Sequence, residues 1–374
     1  MTTIGLCMIV KNEAHVIVRC LASVRPLIDY VLVVDTGSTD HTEALVNKFL
    51  SEEGIPGEVV SESWRDFAHN RSSALARLRT RTDIDYALVM DADDVMVLPD
   101  GFDVASFKHG LTQDFYHVEI RYEPIRFWRA QLMRNRIEFR YRGVLHEFVV
   151  GPPTVTSSGT TSGLYIREGA DGARSRSSEK HLDDVRTLER ALETETNEFI
   201  RARYVFYLAQ TWRNAGEYEK ALQLYLRRAT LGQFQAEVFV SLYRAAQLKE
   251  ELGYHAGEVV GSYLNAYEAD PVRAESLHGA MDYCRRRGKH HQGYLIGKQA
   301  VTMTEPPGAL FSEPWIYDYG LLEEFSVAAF HSGHFQECIT AINKLLEEGK
   351  IPQEAHERLR QNAQEARERL KARQ

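Results

Sequence analysis

The chain has 374 residues, 44% of them apolar and 26% charged, with a formal net charge of -8. That length predicts two or three domains, and the apolar share is enough to bury real cores, which excludes a disordered or low-complexity chain. The acidic balance argues against generic binding of polyanions.

The longest apolar runs, Leu6-Cys7-Met8-Ile9-Val10 and Tyr30-Val31-Leu32-Val33-Val34, are strand-sized and far short of the roughly 20 residues that cross a bilayer. Met1-Thr2-Thr3 leads straight into a strand, so no signal peptide is expected. Cys7, Cys20, Cys284 and Cys338 are scattered without metal-type spacing and are expected to be reduced core residues of a cytoplasmic protein.

In chain order, Ile4 to Val10 is a buried strand by length and β-branching, followed by Lys11-Asn12-Glu13. A helix then carries Val16, Cys20, Leu21 and Val24 on one face and stops at Pro26. Tyr30 to Val34 is a second strand, ending at Asp35-Thr36-Gly37-Ser38-Thr39-Asp40, with a helix through Ala44, Leu45, Lys48 and Phe49. A third strand is expected over Val59–Glu62, a helix from Asp66 to Arg79, and a fourth strand over Tyr86–Met90 that ends at Asp91-Ala92-Asp93-Asp94. Strand and helix alternating at this spacing predict an α/β unit with a mostly parallel, Rossmann-like sheet covered on both faces. Ligands of such sheets bind beyond the carboxyl ends of the strands, where all three polar clusters fall.

From Phe115 to Val150 the pattern turns to short strands with seven arginines (121, 126, 129, 134, 136, 140 and 142) among Tyr122, Phe127, Trp128, Phe139 and Tyr141. These read either as solvated faces of amphipathic strands or as an acceptor or diphosphate groove. The polar stretch from Gly151 to residue 181 is expected to be a lid or a linker holding at most one short strand, Leu164–Arg167, with Arg174, Arg176, Lys180 and His181 available to close over phosphates.

From residue 182 the chain is expected to be an all-α helical repeat domain. Its turn glycines, Gly216, Gly253, Gly288 and Gly333, are spaced 37, 35 and 45 residues apart, and Glu305-Pro306-Pro307-Gly308 supplies an insertion in the last interval. With aromatics and small residues at Phe206, Tyr207, Ala209, Ala221, Leu224, Tyr225, Tyr263 and Ala266, this period resembles degenerate tetratricopeptide repeats. A charged helix over Glu354–Gln374 closes the array. The domains are thus expected at 1–181 and 182–374.

Asp91-Ala92-Asp93 puts two carboxylates at alternate positions where a strand runs out. Such oxygen-rich sites suit Mg²⁺ or Mn²⁺ shared with a diphosphate, although the same residues also make turns and helix caps. Asp35 precedes a glycine at a strand end and can face a ligand over the sheet edge, with Ser38, Thr39 or Asp40 capping the next helix.

Taken together, Cys7-Met8-Ile9-Val10-Lys11-Asn12-Glu13, Val33-Val34-Asp35-Thr36-Gly37-Ser38-Thr39-Asp40, Trp64-Arg65-Asp66-Phe67-Ala68-His69-Asn70-Arg71 and Met90-Asp91-Ala92-Asp93-Asp94 resemble family 2 glycosyltransferases of the GT-A fold. The likeness is greatest to bacterial and phage members with C-terminal tetratricopeptide repeats. The resemblance implies an inverting, metal-dependent hexosyltransferase using a nucleotide-diphosphate sugar, most often a UDP-sugar. It implies that Val10, Asn12, Glu13, Asp35, Gly37, Asn70, Arg71, Asp91 and Ala92 surround the nucleotide sugar, with Asp35 facing the base. It also implies that Asp93 holds Mn²⁺ or Mg²⁺. Gly143-Val144-Leu145-His146-Glu147 resembles a family element, which makes His146 a candidate metal ligand or diphosphate-orienting group and Glu147 a candidate general base; the alternative for either is a hydrogen-bonding residue of the second sheet. His146 and Glu147 can both face one site only if that segment turns, because neighbours on a strand point to opposite faces.

The implied acceptor is a protein or peptide, or a saccharide; a modified nucleobase in DNA is the alternative that the arginine-rich strands raise. The repeats are expected to present a concave surface to the acceptor or to mediate homo-oligomer formation. An inactive transferase serving as a protein-binding scaffold is the contrasting reading.

Overall fold

The computed structural model describes residues 2–173 and 180–373. The chain divides into two compact units, Met1–Glu195 and Thr196–Gln374. Sequence places the change of character at 181/182; helix α5 (Lys180–Thr194) falls within the first unit. Arg174 and Arg176 lie outside the described residues.

The first unit runs β1 (Ile4–Val10), α1 (Ile17–Val24), β2 (Tyr30–Asp35), α2 (Thr42–Glu53), β3 (Gly57–Ser61), α3 (Phe67–Leu78) and β4 (Tyr86–Val89). It continues through β5 (Val95–Val97), α4 (Val104–His109), β6 (Phe115–Tyr122), β7 (Ile125–Arg134), β8 (Arg140–Arg142), β9 (Phe148–Val150) and β10 (Ser158–Arg167) before α5. Among the described residues eight strands form one sheet in the order β3-β2-β1-β4-β7-β6-β10-β5, and β8 pairs with β9. The four strands on the β3 side are parallel, and β7 enters antiparallel to β4.

Alternation along β1 explains its unbroken apolar run. Ile4, Leu6, Met8 and Val10 pack into a core with Ile17, Cys20 and Leu21 of α1 and Val46 and Phe49 of α2. Cys7 faces the other core with Ala74, Leu75 and Leu78 of α3. A strand covered on both faces has no position left for a polar side chain. All four cysteines are free and buried.

The polar stretch departs from expectation. Rather than a short strand at Leu164–Arg167, β10 spans Ser158–Arg167 and lies inside the sheet, between β6 and β5. Its register on β6 shifts between Thr160 and Tyr165, which breaks the period-two pattern that would have marked it. Gly159 is needed there, since an added Cβ would meet the Tyr116 ring at 2.6 Å. Backbone pairing orders this segment, and its composition conceals that.

The second unit holds nine α-helices among the described residues: α6 (Glu198–Asn214), α7 (Tyr218–Thr230), α8 (Gln235–Glu251), α9 (Ala256–Ala269), α10 (Glu275–Arg286), α11 (His290–Ala300), α12 (Leu321–His331), α13 (Phe335–Glu348) and α14 (His356–Lys371). Gly216, Gly253, Gly288 and Gly333 each sit in the left-handed region, with φ of 79°, 74°, 66° and 80°, at the turns of four successive hairpins. Only glycine takes that conformation without strain, so the sequence period marks real turns. The insertion falls between α11 and α12, where a π-helical turn over Ile316–Gly320 leads into α12.

A buried ion-pair triad ties neighbouring hairpins. Glu237 is 1% exposed and accepts from Arg228 at 3.0 Å and from Arg203 at 2.8 Å. Glu237→Ala leaves a fully buried guanidinium without its carboxylate and should destabilise the unit by about 3–5 kcal/mol. Urea unfolding followed by circular dichroism checks this; a loss below about 1 kcal/mol would mean the triad contributes little.

Candidate active site

Strand β1 lies between β2 and β4, and all three run parallel, so their carboxyl ends form one rim. Val10 is paired with Asp35 in register. This brings residues 10–13, 35–40 and 91–94 side by side.

The first two stretches interlock. Asn12, with a left-handed φ of 59°, donates its N–H to Ser38 Oγ at 2.9 Å, and its Oδ1 accepts from Thr39 N at 2.7 Å. Glu13 N donates to Thr42 Oγ1 at 2.8 Å. The Val10 carbonyl accepts from Thr36 N at 2.9 Å. Asp35 is buried, and its Oδ1 accepts from Gly37 N at 2.8 Å and Ser38 N at 2.6 Å. One Asp35 oxygen therefore holds its own turn, and Gly37, at φ 108°, supplies a bend that other residues resist.

Helix α3 is capped by Asp66, which accepts from His69 N at 2.7 Å, and the next residues point inward. Asn70 is fully buried. Its amide donates to Glu62 Oε1 at 2.9 Å and to the Ser63 carbonyl at 3.1 Å, and its oxygen accepts from Arg65 N at 3.0 Å. The Asn70 amide thus holds the 62–65 segment beside the site. Arg71 is the centre of the site. Its Nε donates to Glu147 Oε1 at 2.6 Å, and its Nη2 forms a short ion pair with Asp91 Oδ1. Burial disfavours the guanidinium charge, but Asp91 and Glu147 outweigh it and hold Arg71 charged.

Gly143, at φ 104°, and His146, at φ 52°, turn the chain between β8 and β9. This is the turn that the sequence required if His146 and Glu147 were to share a site. The turn delivers Glu147 to Arg71, with His146 exposed on it.

Acidic groups crowd the end of β4. Asp94 is buried; its Oδ2 accepts from Asp91 N at 3.2 Å and its Oδ1 from Gly169 N at 3.3 Å. Burial, then the neighbouring Asp91 charge, pushes the Asp94 carboxyl up to about 8. Burial would raise Asp91 as well, but Arg71 and then Arg129 hold it below the usual carboxylate range. Asp93 is raised by burial and by Asp91. Ala92 is buried between them.

The sequence did not single out Arg129, Glu168, Arg19 or Asp171. Arg129 on β7 has buried Nε and Nη2 atoms that make no hydrogen bond, and Glu168 Oε2 stands 4.0 Å away. Arg121, Arg134 and Arg140 of the same arginine-rich stretch are engaged by Glu119, Asp114 and Glu138. The amphipathic-strand reading fits Arg121 and Arg140, which are the more exposed of these, whereas Arg129 is set among Asp91, Asp94 and Arg71.

No group of three or more His, Cys, Asp and Glu side chains able to hold a metal occurs among the described residues. A Mg²⁺ or Mn²⁺ ion that takes one or two protein carboxylates and fills its shell from phosphate and water needs no such group. Asp93 fits that role, because a nearby cation would relieve the burial and repulsion that raise its carboxyl. No helix among the described residues is long and apolar enough to cross a membrane.

Residues 6–100, which lie within the first unit, match the family model described as glycosyl transferase family 2. A TPR repeat-containing protein of Synechococcus elongatus is 32% identical over 154 residues, which are 40% of this chain and 36% of that protein. The match thus spans about a third of the length of that curated relative. Among solved structures, a tetratricopeptide repeat protein from Parabacteroides merdae is similar at 14% identity over 51% of this chain and 67% of that one, with a TM-score of 0.37. TarS 1–349 of S. aureus in complex with UDP-GlcNAc is similar at 12% identity over 83% of this chain and 97% of that one, with a TM-score of 0.35.

The Asp94 shift has a definite sign. An unfolded aspartate titrates near 3.9, so between that pH and about 8 the folded chain keeps a proton that the unfolded chain has lost. This contribution to stability is complete at low pH and is lost as pH rises through the folded value. Asp94→Asn removes it. In metal-free buffer the unfolding free energy of the variant relative to the native chain should shift in the variant's favour between about pH 5 and about pH 8.5. Urea titrations at the two pH values measure this, and a constant difference would refute the shift.

Proposed function

We propose that this protein is a metal-dependent, inverting glycosyltransferase that moves a hexosyl group from a nucleotide-diphosphate sugar, a UDP-sugar, to a protein or peptide acceptor, with a saccharide as the second acceptor class. The observation that carries this reading is the single rim at the carboxyl ends of β1, β2 and β4, which carries Asp35, Asp91 and Asp93 and where the buried Arg71 pairs with Asp91, within the segment that matches family 2.

Each group has work that its chemistry suits. A carboxylate such as Asp35 accepts from a base N–H, and Asn12, Glu13, Val10 and Gly37 surround the same edge. Arg129, with two buried unbonded nitrogens, offers a guanidinium to a diphosphate, for which its planar fork is well matched. A divalent ion held by Asp93 and the donor's diphosphate would offset the charge that builds on the leaving group.

The acceptor's nucleophilic atom attacks the anomeric carbon from the face opposite the diphosphate. The bond from that carbon to the diphosphate oxygen breaks, and its electron pair leaves with the nucleotide diphosphate. The acceptor proton passes to Glu147, which Arg71 holds by Nε at 2.6 Å. Attack from the opposite face inverts the configuration. Asp91, clamped by the same guanidinium, stays ionised beside the nucleotide. The repeat unit is proposed to recognise the acceptor.

Two measurements test this. Incubation with several nucleotide sugars should show slow, Mn²⁺-stimulated release of nucleotide diphosphate from one of them, and Asp93→Ala should lower that rate at least about 100-fold. The variant's melting temperature without ligand should stay close to that of the native chain. Turnover undiminished in Asp93→Ala with Mn²⁺ present would overturn the mechanism.

A further inference from the structure

The chain leaving β10, Glu168-Gly169-Ala170-Asp171-Gly172-Ala173, forms a short strap against the rim of the site. Its first amide, Glu168 N, still pairs with the Arg121 carbonyl at 2.9 Å. From there it runs along the acidic end of β4. Gly169 N donates to Asp94 Oδ1 at 3.3 Å, Gly172 N to Asp93 Oδ2 at 3.1 Å, and Ala173 N to both carboxylate oxygens of Glu13 at 3.1 and 3.2 Å. Three successive contacts therefore join carboxylates from the ends of two strands.

The strap is fitted to Asp93. A Cβ added at Gly169 would lie 2.2 Å from the Asp93 carbonyl oxygen, and one at Gly172 would lie 2.8 Å from Asp93 Oδ2. The first clash is with backbone and excludes a side chain at Gly169, whereas a side chain at Gly172 would push the Asp93 carboxylate out of its present position.

One side-chain pair pins the strap to helix α1. Arg19 donates to Asp171 through both terminal nitrogens, at 2.7 and 2.8 Å, and its Nη2 also reaches the Asp93 carbonyl at 3.0 Å. His15 Nε2 lies 2.7 Å from the Asp171 carbonyl. The Arg19 and Asp171 side chains are 45% and 53% exposed. An ion pair that open to water adds little to folding stability, so its geometry is better explained by what it holds in place.

We propose that Arg19 and Asp171 are positioning residues: through the Gly172 and Ala173 amides they set the Asp93 and Glu13 carboxylates in the orientation that receives a cation-bound nucleoside diphosphate. This rests on the donor reading above. Hydrogen bonds to a ligating carboxylate fix its direction, and loss of such outer contacts typically weakens metal binding about 10- to 100-fold.

Calorimetric titration of the full chain with UDP in the presence of Mn²⁺ tests the proposal. Arg19→Gln and Asp171→Asn should each weaken binding about tenfold, and the double variant should be no weaker than either alone, because both remove the same pin. Asp171→Glu should retain part of the affinity. Melting temperatures without ligand should remain near that of the native chain. Native affinity in the single variants overturns the proposal, and tighter binding would show that the strap masks Asp93. Additive losses accompanied by a lower melting temperature would reduce the pin to a structural contact. Failure of the native chain itself to bind UDP would overturn the donor reading, and this inference with it.

Discussion

Arg71 is the point on which the site's electrostatics turn. Its guanidinium is buried beneath the rim and divided between Asp91 at the end of β4 and Glu147 on the β8–β9 turn. Carboxylates brought this close repel one another, and desolvation makes the repulsion worse. A charged group that cannot lose its proton is the side chain best able to hold them together. Because Arg71 sits on α3, the helix, the central strand and the small second sheet are tied by one residue. Lysine, with a single compact charge, would not present two separate nitrogens in the same fork.

One guanidinium does not balance the whole cluster. Asp93, Asp94 and Glu168 are all raised above the usual carboxylate range, each with burial as the largest cause. Arg129 is near enough to be felt by Asp91 and Asp94, yet two of its nitrogens are unbonded. Such an arrangement favours a ligand that brings cationic and anionic parts together. That is the chemistry of a diphosphate with its divalent counter-ion, and it suits an acidic rim beside an arginine whose one acidic partner, Glu168, stands 4.0 Å away.

The helical unit solves a different problem. Its hairpins reverse at left-handed glycines, and its joints rely on buried ion pairs, Arg228 with Glu237 and Arg273 with Glu275. Each acid lies near the start of a helix, where a negative charge is favourable, and each is matched by an arginine from the segment before it. The tetratricopeptide-like period therefore records turn conformation, while these polar pairs fall at spacings too irregular to read as a motif.

Much of this was legible in the residues alone. The strands β1, β2 and β4, the polar clusters at their ends and the turn glycines all follow from local rules: an apolar run must be covered, and a left-handed turn selects glycine. That the ends of β1, β2 and β4 share one edge followed once the strands were read as parallel. What local rules could not reveal was the first part of strand β10, Ser158 to Gly163, ahead of the expected Leu164–Arg167, where the pairing crosses a register shift. They also could not tell Arg129 from the other arginines of its stretch, or foresee Asn70 turned inward and Asp171 brought to Arg19. Those depend on which groups the fold sets opposite, and a contact such as that of Arg19 with Asp171, 152 positions apart, leaves no periodic mark on the chain that makes it.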